Sequence, residues 1–319
     1  MNEIKVLYTN RSAEALHPLP PCYGPILDTS PDGTLRVMQC DGCGFAHLFP
    51  LPEEKLTLDY YKSNAFYSSH SPRDWFDLER AELPYFRLVY ADWLDTLATY
   101  TDNPMDESLS ILDVGAGSGW FLDTALTKGW VTTGIEPAPQ ARLLAEAKGL
   151  RILSSLEEAP RDTYDAAAMI LTLEHITWPL KALQAVRARL IDSAPLLVMV
   201  PNDGNPLQTV ARQVHNLPAW WIVSPHIAYF SVESLGALMT KAGFEIVETR
   251  CTYPIEEFLL SRPVPYVGNE ELGRAMYREK MAYETALYTH GQTELLRQTQ
   301  KDYAARGIGR EIVMVWRKQ

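Results

Sequence analysis

One short stretch limits the folds open to this chain: residues 109–119, Leu-Ser-Ile-Leu-Asp-Val-Gly-Ala-Gly-Ser-Gly. The apolar run from Leu109 to Val114 predicts a short buried strand, and residues 120–128 carry helical spacing. Glycines between the two let the backbone turn sharply and approach a ligand without interference from a Cβ atom. The helix start leaves unpaired N–H groups facing that ligand. The stretch therefore predicts the opening of a βαβ unit with a ligand site at its turn.

Two acidic residues narrow the choice of ligand. Asp113 lies at the end of the first predicted strand, and Glu136 follows the second, which runs from Val131 to Ile135. A carboxylate beside the turn repels a pyrophosphate but suits an ammonium or sulfonium group. An acid at the end of the second strand accepts hydrogen bonds from both hydroxyls of a ribose. S-adenosylmethionine (SAM) combines a ribose with a positive charge and needs no phosphate site, so the two acids favour it over a dinucleotide.

Four sequence blocks occur in order along the chain. They are Asp113-Val-Gly-Ala-Gly-Ser-Gly119, Gly134-Ile-Glu136-Pro137, Tyr164 to Ile176, and Pro225 to Ser231 with Leu235 to Phe244 behind it. They resemble the first two motifs, the fourth strand with its loop, and the acceptor-side segment of class I SAM-dependent methyltransferases of small molecules. The resemblance covers about residues 108–251 and the last strand. It implies these cofactor-binding residues: Asp113, Gly115, Ala116, Gly117, Gly119, Glu136, Pro137 and Leu173.

Strands and helices alternate through the middle of the chain. Strands are predicted near 109–114, 131–135, 151–153, 164–171 and 195–201, with helices near 119–128, 138–148 and 178–191. Such alternation predicts a parallel sheet covered on both faces, with ligands at the carboxyl ends of its strands. Phe244 to Thr249 predicts a sixth strand, and Glu311 to Trp316 predicts a seventh that pairs antiparallel with its neighbours at the sheet edge. The fold class is therefore α/β, with the Rossmann-like seven-stranded sheet of class I methyltransferases.

The chain divides into five segments. They are a small cysteine-containing, zinc-ribbon-like module (1–60), an aromatic-rich lid and connecting helix (61–107), the SAM-binding domain (108–252), a mainly helical insertion (253–308) and the last strand of the sheet (309–319). The lid candidates are Tyr60, Tyr61, Phe66 and Tyr67. The insertion is longer than a hairpin needs, so it is predicted to cover the pocket or to make an oligomer contact, such as that of a homodimer.

Three of the four cysteines lie in the first segment. Cys40-Asp-Gly-Cys43 places two thiols three positions apart, and Cys22 supplies a third. A tetrahedral zinc site needs four ligands; we assign His17 as the fourth, while His47 lies beyond the pair. The segment resembles the zinc module of methyltransferases acting on nucleotide-linked sugars, but Cys22 has no second cysteine beside it. It is therefore either a Cys3His zinc site or a module that keeps its fold without metal, and its role is structural in both cases.

Methyl transfer to a hydroxyl, an amine or a carbon beside a carbonyl requires a base to take a proton. His226 lies in a segment that resembles the one carrying the catalytic histidine of sugar C-methyltransferases, although Pro225 stands where those have Glu. His175 follows the fourth strand, after Glu174. Either histidine is a candidate base, or both only shape the pocket by hydrogen bonding. Tyr229 either orients the acceptor or packs in the core.

Charge and composition exclude several classes of function. The chain has 40 acidic and 29 basic residues, which argues against a nucleic-acid partner because such proteins need a basic surface. It has no apolar run near ~20 residues and no signal peptide, so we predict no membrane partner and a cytoplasmic location. The predicted function is SAM-dependent methyl transfer to a small molecule, possible acceptors including a nucleotide-linked sugar. The alternatives are an NAD-dependent oxidoreductase and a non-catalytic binding module with the same fold.

Overall fold

The computed structural model describes residues 22–30, 32–63, 66–67, 75–102, 108–217, 226–262 and 269–319. Its helices are α1 (Glu54–Lys62), α2 (Trp75–Thr99), α3 (Trp120–Thr127), α4 (Pro139–Glu146), α5 (Pro179–Arg187), α6 (Pro206–His215), α7 (Val232–Lys241), α8 (Glu256–Ser261), α9 (Glu270–Thr289) and α10 (Thr293–Ala305). Its strands are β1 (Ile26–Thr29), β2 (Arg36–Cys40), β3 (Phe45–Phe49), β4 (Ser110–Val114), β5 (Val131–Ile135), β6 (Ile152–Leu153), β7 (Ala166–Ile170), β8 (Pro195–Pro201), β9 (Ala228–Tyr229), β10 (Phe244–Cys251) and β11 (Glu311–Lys318). Turns of 3₁₀ helix cover Leu156–Glu158 and Leu173–His175. Within these ranges, no helix is both long and apolar enough to cross a membrane.

Seven strands form the central sheet, in the order β10-β11-β8-β7-β4-β5-β6. Strands β4 to β8 are parallel wherever they pair, and β11 runs antiparallel to both of its neighbours. This confirms the predicted Rossmann-like sheet with an antiparallel last strand. At that edge β11 lies between β8 and β10 and pairs antiparallel with both, so β10 is the outermost strand.

Both faces of the central sheet are covered by helices. Ile111 and Leu112 are neighbours on β4 and are fully buried in two different hydrophobic clusters, since successive side chains of a strand point to opposite faces. The cluster of Leu112 includes Leu183 of α5, and the cluster of Ile111 includes Leu94 of α2. The helical stretch predicted before the sheet is thus α2, and it packs on the sheet as a core helix.

A second, four-stranded sheet, which we call the N-terminal sheet, has the order β1-β2-β3-β9. Its first three strands come from the N-terminal segment, whereas β9 comes from the segment that follows position 225. Ala46 pairs with Tyr229 and His47 with Ala228 in antiparallel register. The cysteine-containing segment is therefore joined to the rest of the chain by a shared sheet, although the sequence places a boundary near residue 60.

The described part of the insertion packs against α2 and β10. Arg250 of β10 donates a hydrogen bond to Asp92 of α2 over 2.9 Å, and Arg297 of α10 donates to the other oxygen of Asp92 over 2.6 Å. Asp92 and Arg250 are buried, so neither charge is left uncompensated inside the protein. The ion pairs fix the insertion on the face of the domain that α2 covers.

Candidate active site

The predicted glycine turn joins β4 to α3. Gly115, Gly117 and Gly119 have φ angles of 85°, 54° and 85°, which favour glycine. The N–H groups of Gly115 and Ala116 both donate to the carbonyl of Ile135, over 2.8 and 3.0 Å, and so hold the turn against β5. A Cβ atom on Gly115 would lie 2.2 Å from Oγ1 of Thr172. The turn therefore needs glycine for its backbone conformation and for the close approach of the segment after β7.

Two buried carboxyl groups lie beside this turn, where β4 and β5 end. Asp113 is 2% exposed and Glu136 is 4% exposed. Glu136 accepts hydrogen bonds from the N–H groups of Gly117 and Ala138, both over 2.8 Å. Among the residues that the structure describes, nothing donates a hydrogen bond to Oδ1 of Asp113. We call Asp113, Gly115, Gly117 and Glu136 the cofactor cluster.

Burial changes the acidity of both carboxyl groups in the cofactor cluster. It raises the pKa of Asp113 to about 8, and the neighbouring Glu136 adds to the rise. It also raises the pKa of Glu136, although the hydrogen bonds from the N–H groups of Ala138 and Gly117 oppose that rise. A positively charged ligand would relieve the cost of ionising these two groups. The cluster therefore suits a cation.

The remaining predicted cofactor residues surround this cluster. Gly119 precedes α3, and a Cβ atom there would come within 2.6 Å of Leu150. Pro137 is half-buried directly after Glu136, and Leu173 is fully buried in the 3₁₀ turn after β7. The structure thus brings all the predicted cofactor-binding residues to the carboxyl ends of β4, β5 and β7.

Tyr67, one of the predicted lid residues, lies over the cofactor cluster. Its hydroxyl is 3.6 Å from the position that a Cβ atom would take on Gly117. Its ring stacks on Phe76 of α2 with 5.0 Å between the ring centroids, and Phe76 packs against Ala138 and Ala141 at the start of α4. Burial raises the pKa of Tyr67 well above its ordinary value, and Glu136 adds to the effect. Tyr67 therefore covers the site at this end.

The predicted catalytic histidines meet in a second group, which we call the histidine cluster: Glu174, His175 and His226. The ring centroids of His175 and His226 are 4.8 Å apart, and Nε2 of His175 lies 3.8 Å from Oε1 of Glu174. Two more predicted lid residues, Tyr61 and Phe66, contact His175 edge-on, with 6.0 Å between ring centroids in each case. The acceptor-side segment and the loop after β7 thus converge at His226 and His175.

Backbone hydrogen bonds hold the segments of the histidine cluster together. The N–H of Ile227 donates to the carbonyl of Glu174 over 2.8 Å, and the N–H of Leu48 donates to the carbonyl of Ile227 over 2.9 Å. Tyr229 is 2% exposed and lies in the core of the N-terminal sheet. Its hydroxyl donates to the carbonyl of His226 over 3.3 Å. These contacts support a packing role for Tyr229, and a direct role toward an acceptor stays a prediction.

Two polar residues near the histidine cluster were not singled out from the sequence. Thr172 separates the glycine turn from Glu174, and Asp203 follows β8, where it is half-buried with its Oδ2 atom fully buried. Burial raises the pKa of Glu174 well above its ordinary value, and Asp203 adds to the rise. The signal for Asp203 was its position after the fifth predicted strand, in Pro201-Asn-Asp-Gly-Asn, because the carboxyl ends of parallel strands meet at one sheet edge.

Cys22, Cys40, Cys43 and His47 form a third group, the cysteine cluster, with one ligand atom from each within 4.8 Å of the others. The Cys22 and Cys43 sulfurs are 3.9 Å apart, close to the ~3.8 Å expected for two thiolates on a tetrahedral zinc ion. Nδ1 of His47 bonds to the carbonyl of Leu48 over 2.7 Å. Its buried Nε2 atom has no hydrogen-bond partner among the described residues. His17, our sequence assignment for the fourth ligand, lies outside the described residues.

The family described as a methyltransferase domain matches residues 83–249, more than half of the 319 residues. The chain belongs to this methyltransferase family. The matched range begins in α2 and ends in β10, so the methyltransferase domain contains both the cofactor cluster and the histidine cluster. The N-terminal sheet, except for β9, lies outside it.

Solved methyltransferase structures resemble this chain. A SAM-dependent methyltransferase from Archaeoglobus fulgidus is 18% identical with a TM-score of 0.48, covering 77% of this chain and 100% of its own. One from Mesorhizobium loti is 16% identical with a TM-score of 0.45, covering 72% and 100%. Magnesium protoporphyrin IX methyltransferase from Synechocystis, with bound S-adenosylhomocysteine (SAH), is 12% identical with a TM-score of 0.45, covering 83% and 99%. A search of curated proteins finds no match.

Proposed function

We propose that this protein transfers a methyl group from SAM to a small-molecule acceptor, such as a nucleotide-linked sugar or another biosynthetic intermediate. The observation that carries the proposal is the cofactor cluster. Its glycine turn is followed by a helix start, and two buried acids stand beside it, one with an oxygen that no described residue satisfies. An acidic, glycine-lined site of this kind fits a positively charged nucleoside better than a dinucleotide.

Each part of the cofactor cluster has a proposed role. Asp113 faces the positive charge of the ligand, and Glu136 accepts hydrogen bonds from the ribose hydroxyls. Gly115 and Gly117 admit the ligand to the backbone, with Ala116, Gly119, Pro137 and Leu173 forming the walls. Tyr67 closes over the site, so that water is excluded.

When bound, SAM supplies a methyl group already activated on a sulfonium, so the protein contributes mainly positioning, which can be worth ~7–11 kcal/mol. Many acceptors must also lose a proton, a step worth about 10²–10⁴-fold in rate when a side chain assists it. The histidine cluster stands next to the cofactor cluster, across Thr172. We assign assistance with that proton to His226 and His175.

A structural zinc ion in the cysteine cluster is part of the proposal. The Nδ1 bond of His47 leaves Nε2 as the ligand atom, which is the usual arrangement of a metal-binding histidine. We therefore propose His47, in place of His17, as the fourth ligand beside Cys22, Cys40 and Cys43. Four protein ligands leave no open position, so the ion would stabilise the N-terminal sheet and take no part in the reaction.

Titration of the purified protein with SAH, SAM and NADH tests the cofactor, and a methyl-transfer assay against pooled metabolites with mass detection tests the activity. We expect SAH and SAM to bind at one site per chain and NADH not to bind. Binding of NADH without SAM would replace the proposal with the oxidoreductase alternative. Binding of SAM without methylation of any compound in the metabolite pools would favour the alternative of a non-catalytic binding module. The homodimer and the cytoplasmic location stay predictions from the sequence.

A further inference from the structure

Glu174 carries a carboxyl group that is almost fully buried. Its side chain is 1% exposed. Apart from its own backbone N–H, nothing in the described ranges of the chain donates a hydrogen bond to Oε1 or Oε2. Taking a carboxylate out of water costs several kcal/mol unless a partner compensates it, and buried charges in proteins are paired or bound to metals. The imidazole of His175 lies 3.8 Å from Oε1 of Glu174, beyond hydrogen-bonding distance, so a cation bound between the two groups would compensate the carboxylate.

The neighbours of Glu174 are ligands for a metal ion. One ligand atom from each of Glu174, His175 and His226 lies within 4.8 Å of the others. Ligand atoms bound at about 2.1 Å to one ion lie roughly 3–4 Å apart. Small side-chain rotations would therefore bring the three atoms to bonding distance.

The backbone already holds these ligands in place. The 3₁₀ turn Leu173–His175 carries two of them, and the hydrogen bond from Ile227 to the carbonyl of Glu174 ties that turn to the segment of His226. Strand β3 in turn holds Ile227 through Leu48. Metal sites need ligands that their supporting contacts fix before the ion arrives. The histidine cluster meets that requirement.

We propose that Glu174, His175 and His226 bind one divalent cation of the first transition row, such as Mn²⁺, Fe²⁺ or Co²⁺. Two imidazoles and one carboxylate suit these ions better than Mg²⁺ or Ca²⁺, which prefer oxygen ligands alone. Three protein ligands leave positions open for oxygen atoms of a bound molecule. This site differs from the cysteine cluster, whose four ligands include three thiols.

The role of the cation in the reaction rests on the proposed methyl transfer. The cation would explain how the two histidines help to remove the proton of the acceptor. An acceptor hydroxyl bound to the cation has a lowered pKa and loses its proton to solvent as it binds, before the site closes. The resulting oxygen anion attacks the methyl carbon of SAM: an O–C bond forms, and the C–S bond breaks with its electron pair passing to sulfur. The imidazoles then act as ligands, and no free imidazole has to accept the proton. An acceptor with a hydroxyl beside a second oxygen would fill two open positions.

Titration with Mn²⁺, followed by the electron paramagnetic resonance signal of the free ion, tests the site in the full chain. Mn²⁺ prefers oxygen and nitrogen ligands over thiolates, so it reports the histidine cluster and not the cysteine cluster. We expect one Mn²⁺ per chain. Glu174→Gln and His226→Gln should each weaken binding by at least about tenfold. Glu256→Gln and His290→Gln are the matched controls, because Glu256 is as buried as Glu174 and His290 is an exposed histidine at the end of α9. Both control variants should bind Mn²⁺ as the natural chain does.

Thermal melts of every variant and SAH titrations of the same samples complete the design. If a variant melts early, the other ligand variant decides the result. No Mn²⁺ binding by the natural chain, or equal binding by it and Glu174→Gln, would overturn the cation site. If SAH still binds in that case, the methyltransferase proposal survives. If SAH fails to bind while Mn²⁺ binds, the cation site stands and the proposed function falls.

Discussion

The cofactor cluster and the histidine cluster differ in how the chain builds them. Asp113, the glycines and Glu136 come from two adjacent parallel strands and the turn between them, within a single βαβ unit. The histidine cluster takes Glu174 and His175 from the loop after β7 and His226 from the segment before β9, and β3 of the N-terminal sheet supports it. One site is local in sequence, whereas the other exists only after several segments have packed.

The two clusters also differ in the hydrogen bonds that their buried carboxyl groups accept. In the cofactor cluster, backbone N–H groups hold Glu136, so its geometry follows from the turn itself. In the histidine cluster, the backbone holds the segments together but leaves the carboxylate of Glu174 without a donor from another described residue. We therefore expect substitutions in the first cluster to act on SAM and SAH, and changes around the second to act on cation and acceptor.

The largest loss of SAH affinity is expected for Gly115→Ala. Its Cβ would lie 2.2 Å from Oγ1 of Thr172 at a φ of +85°, so the turn must shift, and we expect SAH affinity to fall by roughly 100-fold, which corresponds to about 2.8 kcal/mol. Calorimetric titration with SAH measures the loss.

Gly129→Ala is the matched control for that change. Gly129 has a φ of +87°, and a Cβ there would meet nothing within 4 Å. It should carry only the backbone strain, about 1–2 kcal/mol of unfolding free energy, and leave SAH affinity unchanged. Equal losses of affinity in both variants would show that backbone strain, rather than contact with the segment after β7, controls the site.

Glu136→Gln should have the next largest effect. The amide can accept fewer charge-assisted hydrogen bonds than the carboxylate, and losing one such bond costs about 1.5–3 kcal/mol, or roughly 10- to 100-fold in SAH affinity. Glu157→Gln, on the exposed 3₁₀ turn Leu156–Glu158, is the control and should change nothing. Unchanged affinity in Glu136→Gln would place the ribose elsewhere.

Most of the cofactor cluster could be predicted from the sequence because its residues lie close together along the chain, in two strands and the turn after the first. Asp113 and Glu136 each end an apolar strand, and parallel pairing of those strands brings the two acids together whatever the rest of the chain does. Local chemistry also explains Ser231 as the N-cap of α7, where its side chain accepts a hydrogen bond from the N–H of Ser234.

The other parts depend on tertiary packing. The sequence around His47 does not distinguish it from His17. Only the folded structure shows that His47 lies within 4.8 Å of the three sulfurs and that its buried Nε2 atom has no hydrogen-bond partner among the described residues. Likewise, the sequence predicts that β11 pairs antiparallel with its neighbours, but only the assembled sheet shows that these neighbours are β8 and β10. Asp203 and Thr172 carry no motif, and only the assembled sheet places them at the site.

The binding of SAH should strengthen as pH rises from about 6 to 8 and then level off. Burial raises the pKa of Asp113 to about 8, so in the ligand-free protein the group is protonated below that pH. The ammonium group of SAH favours the carboxylate, so binding must release this proton at lower pH, and affinity should rise by up to about tenfold per pH unit. Asp113→Asn should abolish the dependence.

Stability should move in the opposite direction at the same group. Because the folded pKa of Asp113 is raised, the folded state holds the proton between about pH 4 and pH 8 while the unfolded state does not. The free energy of unfolding should therefore fall as pH rises through this window, and Asp113→Asn should flatten that fall. Denaturant melts at pH 5 and pH 8 measure it. A natural chain whose stability and SAH affinity are both independent of pH would show that Asp113 is ionised throughout.

The smallest effect on SAH is expected from removal of zinc, and it should separate the two clusters most cleanly. Strand β3 carries His47 and bonds to Ile227 through Leu48, but it makes no hydrogen bond to the glycine turn within the described residues. Chelation, or Cys40→Ser, should leave SAH affinity within about twofold, while amide exchange at Ile227–Tyr229 rises at least about tenfold as local opening becomes easier. Exchange at Gly115–Gly119 should not change. Hydrogen exchange read by mass spectrometry gives both regions from one sample. Equal changes in exchange at the two regions would mean that the cysteine cluster supports the whole domain. A chain that holds no zinc after reconstitution would show that β3 is held in place without a metal ion.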